Sequence, residues 1–253
     1  MVVIGGLAAI IVTSPGWENV KATFFSWEDF RRVFPDVLEG FWLDVRMFCV
    51  IEAVVLMLGM VVALTRTSRA AALFPLRMLA TVYTDLLRGV PVILLVFLIG
   101  FGLPALELEG LPTDPVVLGG VALALSYSAY VAEVYRAGID SVHSSQRSAA
   151  LALGLTEAQA LRHVVLPQAV RRVVPPLLND FVALQKDVAL VSILGVVEAF
   201  RVAQIDASSN FNYTPLLAAA LLYMCVTVPL ARVVDRMQSG ARRATGAAEA
   251  APA

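Results

Sequence analysis

Five stretches of this chain are apolar for about twenty residues each, the length a helix needs to cross the ~30 Å hydrocarbon core of a bilayer. They cover residues 41–64, 78–102, 116–135, 174–197 and 213–233. Backbone amides in lipid must find partners within their own segment, so stretches of this kind fold as helices. The expected fold is an all-α membrane protein with five core transmembrane helices. Composition agrees, since only 15% of the residues are charged against about 25% in a soluble domain. The net charge of −1 offers no basic stripe for phosphates, so a nucleic-acid partner is not expected. Residues 1–13 are apolar too, but as a helix they would rise only about 20 Å. They form a short N-terminal hydrophobic segment, an incomplete or tilted extra helix. No basic run precedes them, so they do not read as a cleaved signal peptide.

Loop charges set the orientation, because cytoplasmic loops collect Lys and Arg. Arg66, Arg69 and Arg77 follow the first span, and Arg136, Arg147, Arg162, Arg171 and Arg172 follow the third. Arg232, Arg236, Arg242 and Arg243 follow the fifth. The loop after the second span instead holds Glu107, Glu109 and Asp114, and the loop after the fourth has only Arg201. The arginine-rich ends are therefore expected in the cytoplasm, with the C-terminus. Residues 1–40 would then comprise the N-terminal segment and an amphipathic outer-face segment, "SWEDFRRVFPDVLEG". Residues 41–238 would form the transmembrane domain, and 239–253 a disordered tail of small residues.

Between the third and fourth spans lies "QRSAALALGLTEAQALRHVVLPQ", residues 146–168. It is apolar but broken into runs too short to cross a bilayer. Residues 146–153 predict a helix with Gly154 as its left-handed stop. Thr156 and Gln159 predict a capping box opening a second helix, which Pro167 would end. A helix–turn–helix in water whose apolar face has nothing local to cover is a docking surface for a protein.

These residues resemble the membrane-spanning permease subunit of ABC importers for polar amino acids. The family hallmark is a cytoplasmic Glu-Ala-Ala loop with a glycine four residues after the second alanine and a later Leu-Pro. Here it reads Ser148-Ala149-Ala150, Gly154-Leu155 and Leu166-Pro167. The blocks "LRGVPVILLVFLIGFGLP", "SAYVAEVYRAGIDSV" and "PPLLNDFVALQKDVALVSILG" follow the family in order. The chain departs from it at Ser148, where the motif glutamate is missing, and at Val90, Val188 and Ala189, where hydroxyls are usual. The resemblance implies that the loop of about residues 141–168 couples to an ATP-binding cassette ATPase through Ala149, Ala150, Gly154, Leu155, Leu166 and Pro167. It also implies an extracytoplasmic amino-acid-binding protein and a second permease subunit, with a heterodimer favoured because this chain lacks those side chains. ATP and Mg would be bound by the ATPase, leaving this chain no cofactor and no catalytic residue of its own.

No phosphate-cradling "GxxxxGK[ST]" and no metal-ligand spacing occurs in the sequence. The sharper signal is ionisable groups inside spans, each costly in lipid unless paired or facing water. The fourth span carries Asn179, Asp180, Lys186 and Asp187. At 100° per residue Asn179 and Lys186 share one stripe, with Asp180 and Asp187 on the next. They line a substrate pathway or form an internal Lys–Asp network that fixes packing. Glu52 in the first span is a further pathway candidate. Asp85 with Arg88, and Glu133 with Arg136, have the spacing of structural pairs. Cys49 and Cys225 read as buried free thiols, and His143 and His163 as structural or solvated. The alternative function is a secondary transporter driven by an ion gradient through its intramembrane carboxylates.

Overall fold

The computed structural model describes residues 13–68 and 70–249, with residues 157–158 and 240–249 described by backbone only. Arg69 and all but the last residue of the N-terminal hydrophobic segment lie outside the described residues. The described chain is helical: α1 Trp17–Phe24, α2 Trp27–Thr67, α3 Phe74–Gly89, α4 Val92–Phe97, α5 Leu103–Ala105, α6 Pro115–Asp140, α7 Ser144–Ala152, α8 Glu157–Ala160, α9 Leu166–Asp187, α10 Ala199–Asn210 and α11 Thr214–Glu249.

The first and third expected spans lie within the unbroken helices α2 and α6, and the fifth, all but its first residue, within α11. The other two are bent. The second breaks by 106° between α3 and α4, where Gly89 ends the helix and Pro91 has no N–H to continue it. The fourth runs from α9 through a tight 3₁₀ stretch, Val188–Leu194, to Gly195 at φ +91°, and α10 departs at 53°. A left-handed residue is what a helix stop requires, and glycine reaches it without steric cost.

α2 is longer than expected. "SWEDFRRVFPDVLEG" is no separate surface segment but the N-terminal part of one 41-residue helix that contains Pro35. At 1.5 Å per residue such a helix is about 60 Å long, roughly twice the hydrocarbon thickness. Ser26 starts it, its hydroxyl accepting from Asp29 N–H at 3.3 Å, which is N-cap chemistry. Val33, Val37 and Phe41 then turn inward onto Ala199, Ala203 and Ala219 of α10 and α11. This tertiary packing holds the extension.

α6 is the centre of the bundle, packing along α2, α3, α4 and α9. Asp114 caps it, accepting from Val116 N–H at 2.8 Å and Val117 N–H at 3.1 Å, and Pro115 occupies the first turn, where its missing N–H costs nothing. Small residues let neighbours close in, as membrane helix interfaces require. A Cβ added at Gly119 would fall 2.6 Å from Val191 Cγ1. The resulting core joins Met47, Ile51 and Val55 of α2 to Leu123 and Val131 of α6 and Leu184, Val188 and Val191.

Two further expectations change. Both cysteines are free but exposed on the chain surface, because the apolar runs carrying them turn one side away from the bundle. α11 continues to Glu249, through most of the tail expected to be disordered. That stretch is rich in alanine, the best helix former.

Candidate coupling loop and translocation face

The loop between α6 and α9 owes its shape to local hydrogen bonds. His143 opens α7, its Nδ1 accepting from Ser145 N–H at 3.3 Å. α7 closes in a Schellman motif. Leu155 N–H reaches back to Ala150 C=O at 3.2 Å, and Gly154 N–H donates to Leu151 C=O at 3.0 Å. Gly154 sits at φ +85°, with open space where a Cβ would be. Only its backbone conformation demands glycine.

The capping box closes as its spacing predicts. Thr156 N–H donates to Gln159 Oε1 at 2.9 Å, and Gln159 N–H donates to Thr156 Oγ1 at 3.3 Å. The expected stop at Pro167 is not there. The chain passes through a wide π turn, Leu161–Val165, and continues directly into α9, with Pro167 in its first turn. A π turn relieves the i−4 bonding that proline cannot make, and proline is tolerated at a first helical turn.

This arrangement buries Ala150 and Ala160 and leaves Ala149 exposed. Leu153 is 85% exposed, and Leu161 and Leu166 are about half exposed. The polar backbone is satisfied locally while the leucines are not covered.

At the same end, the expected Glu133–Arg136 pair forms, at 2.5 Å. Asp85 and Arg88 do not pair. Arg88 turns instead toward Glu133, at 3.9 Å, and its guanidinium lies 5.8 Å from the Tyr130 ring centroid. Glu133 also accepts from Arg66 Nη1 at 2.8 Å, and Arg136 reaches Asp140 at 2.6 Å. One carboxylate thus gathers the ends of α2, α3 and α6, an arrangement hidden from sequence because Arg66 lies 67 residues from Glu133.

On α9 the two polar stripes separate. Asn179 and Lys186 are exposed, whereas Asp180 and Asp187 are half-buried. No Lys186–Asp187 contact occurs among the described residues. Asp187 Oδ2 instead accepts from the Tyr127 hydroxyl at 2.7 Å, a partner one helix away that outcompetes a neighbour pointing elsewhere. Asp180 Oδ2 is buried with no hydrogen-bond partner among the described residues. Glu52 is half-buried on α2. The structure therefore pairs Asp187 with Tyr127, half-buries Asp180 and Glu52, and leaves Asn179 and Lys186 on an open side.

A second polar cluster was not anticipated. Asp44 and Glu198 are fully buried, and the Tyr223 hydroxyl lies 2.7 Å from Asp44 Oδ2 and 3.3 Å from Glu198 Oε2. Glu198 also caps α10, accepting from Phe200 and Arg201 N–H at 2.7 and 2.8 Å. The cost of an ionisable group in lipid is the signal that singles out Asp44 inside the first span.

Residues 56–243 match the family described as the binding-protein-dependent transport system inner membrane component. The chain belongs to that family. Among similar permeases, the probable amino-acid permease protein YxeN of Bacillus subtilis (strain 168) is 34% identical over 80% of this chain and 89% of its own. The arginine transport system permease protein ArtQ of the same organism is 33% identical over 78% and 88%. A crystal structure of an amino acid ABC transporter with histidines superposes with a TM-score of 0.75 at 29% identity, covering 85% of this permease and 98% of that chain. The fold thus resembles that of an amino acid ABC transporter, and the permease is a multi-pass transport component of the inner membrane.

Proposed function

We propose that this chain is the permease subunit of an ATP-driven importer for a polar amino acid, with its arginine-rich ends and C-terminus in the cytoplasm. The observation that carries the proposal is the loop between α6 and α9, locally rigid yet presenting Leu153, Leu161 and Leu166 to water. An apolar patch outside the membrane marks a protein contact, and the partner is an ATP-binding cassette ATPase that holds ATP and Mg. Ala149, Ala150, Gly154, Leu155, Leu166 and Pro167 form the coupling element. Because the chain runs from this element into α9 with no intervening loop, displacement of α7 and α8 by the ATPase moves α9 and its polar side chains.

The substrate path runs along the open face of α9, between this permease and a second one, favoured to be a different chain. Asn179 and Lys186 face the path. Glu52, Asp180 and Asp187 place carboxyl groups beside it, which suit an amino acid's ammonium group. The similar permeases named for amino acids support the substrate class, and delivery falls to an extracytoplasmic binding protein. Reconstitution with the ATPase and binding protein tests this. ATP-dependent uptake stimulated by loaded binding protein is expected, and uptake driven by an ion gradient without ATP would overturn it.

A further inference from the structure

The transport path makes no use of a pocket of about 340 Å³ at the arginine-rich end of the bundle. It opens between the end of α2, the first turns of α3 and the end of α6, and is lined by Arg66, Arg77, Met78, Thr81, Val82 and Arg136. The wall carries three guanidiniums and no carboxylate. Two are anchored from behind, Arg66 by Glu133 and Arg136 by Glu133 and Asp140. Arg77 has no carboxylate partner among the described residues. Its Nη1 donates to Ser68 C=O at 2.8 Å, and its guanidinium lies 5.4 Å from the Phe74 ring centroid. Those contacts fix its position and leave its charge uncompensated. The Thr81 hydroxyl is already committed to Arg77 C=O at 2.9 Å.

The rest of the lining is apolar. Met78 and Val82 are each about half exposed, and Leu79 and Leu86 extend the apolar surface along α3. A ligand that satisfies both halves has an anion at one end and hydrocarbon at the other. A free phosphate would use the arginines and gain nothing from Met78 and Val82. A second copy packed symmetrically here would set its own arginines against these.

We propose that this pocket holds the phosphate of an anionic phospholipid of the cytoplasmic leaflet, with its acyl chains along the exposed face of α3. The proposal rests on the orientation given above, which puts Arg66 and Arg77 at the cytoplasmic surface. Basic pockets between helices at that surface suit anionic headgroups, and the planar guanidinium fork matches phosphate oxygens.

The test uses the permease purified with its ATPase in nanodiscs of phosphatidylcholine doped with phosphatidylglycerol, with retained lipid counted by native mass spectrometry. The wild type is expected to retain phosphatidylglycerol selectively. Arg77→Gln should lower that retention about fivefold without changing phosphatidylcholine, and Arg77→Lys should keep most of it. Should Arg77→Gln fail to assemble, Val82→Asp places a carboxylate at the rim and should expel the anionic lipid. Arg32→Gln, at the other end of α2, should change nothing. Equal retention in wild type and the pocket variants would overturn the proposal, as would release of the lipid by millimolar inorganic phosphate, which would assign a free anion. Labelling of Leu153→Cys by an impermeant maleimide, in intact cells and in inside-out vesicles holding the permease without its ATPase, reports the orientation separately. Unchanged retention with the loop shown to be cytoplasmic therefore refutes the lipid site alone.

Discussion

The acidic and arginine-rich ends of the bundle solve opposite problems. At the acidic end, polar side chains meet across distant elements: Tyr223 with the buried Asp44 and Glu198, and the exposed Arg32 bidentate on Asp206 at 2.6 and 2.9 Å. In the coupling loop, polar groups are matched within a few residues, and the apolar side chains have no cover. The difference separates architecture from partnership. The polar pairs of the acidic end form within one chain, while the exposed leucines of the loop are the surface on which we propose that the ATPase docks.

Glu198→Ala should produce the largest effect on stability. It removes the α10 cap and one hydrogen-bond partner of the Tyr223 hydroxyl, a loss on the order of 2 kcal/mol, readable as a lower thermal midpoint of the purified permease. If that midpoint stays put, the acidic end is not the self-sufficient half described here.

Leu153→Asp should do the reverse. Docking hot spots are worth about 2 kcal/mol or more, so binding of the ATPase should weaken roughly thirtyfold, while the permease's own stability changes by less than about 0.5 kcal/mol and its thermal midpoint barely moves. A drop in the midpoint would mean that Leu153 serves the permease rather than its partner.

Gly154→Ala sharpens the contrast further. A β-carbon in the left-handed region costs about 1 kcal/mol, and nothing nearby would clash with it. The Schellman turn should loosen and binding-protein-stimulated ATP hydrolysis should fall several-fold, with membrane insertion unchanged. An unaltered ATPase response would show that the turn need not be rigid.

Lys186→Gln should have the smallest effect on stability, within about 0.5 kcal/mol, because Lys186 is exposed and makes no pair with Asp187. Transport should nonetheless change. Tyr127→Phe, which strips Asp187 of its hydrogen bond, should cost about 1 kcal/mol. Were Lys186→Gln the more destabilising of the two, the charge on α9 would be structural.

The sequence was most legible where physics is local. Twenty-residue apolar runs located α6 and α11, and Gly154 with Thr156 and Gln159 announced both turns of the coupling loop. Summed hydropathy carries no direction, so the 106° bend at Gly89–Pro91 was invisible, although the proline marked the place. Pro167 misled because a π turn can absorb a missing N–H. Asp44 and Tyr223 are 179 residues apart, and Asp187 finds Tyr127 across 60. No periodicity on one helix reveals which side chain waits on the next.

The central claim is that the ATPase covers the coupling loop, and accessibility of Leu153 tests it most directly. In a Cys49→Ser, Cys225→Ser background, Leu153→Cys would be labelled with a water-soluble maleimide, first on the permease alone and then on its complex with the ATPase. Fast labelling is expected on the free permease, where the residue is 85% exposed, and strong protection in the complex. Labelling at the same rate in both states would contradict the account.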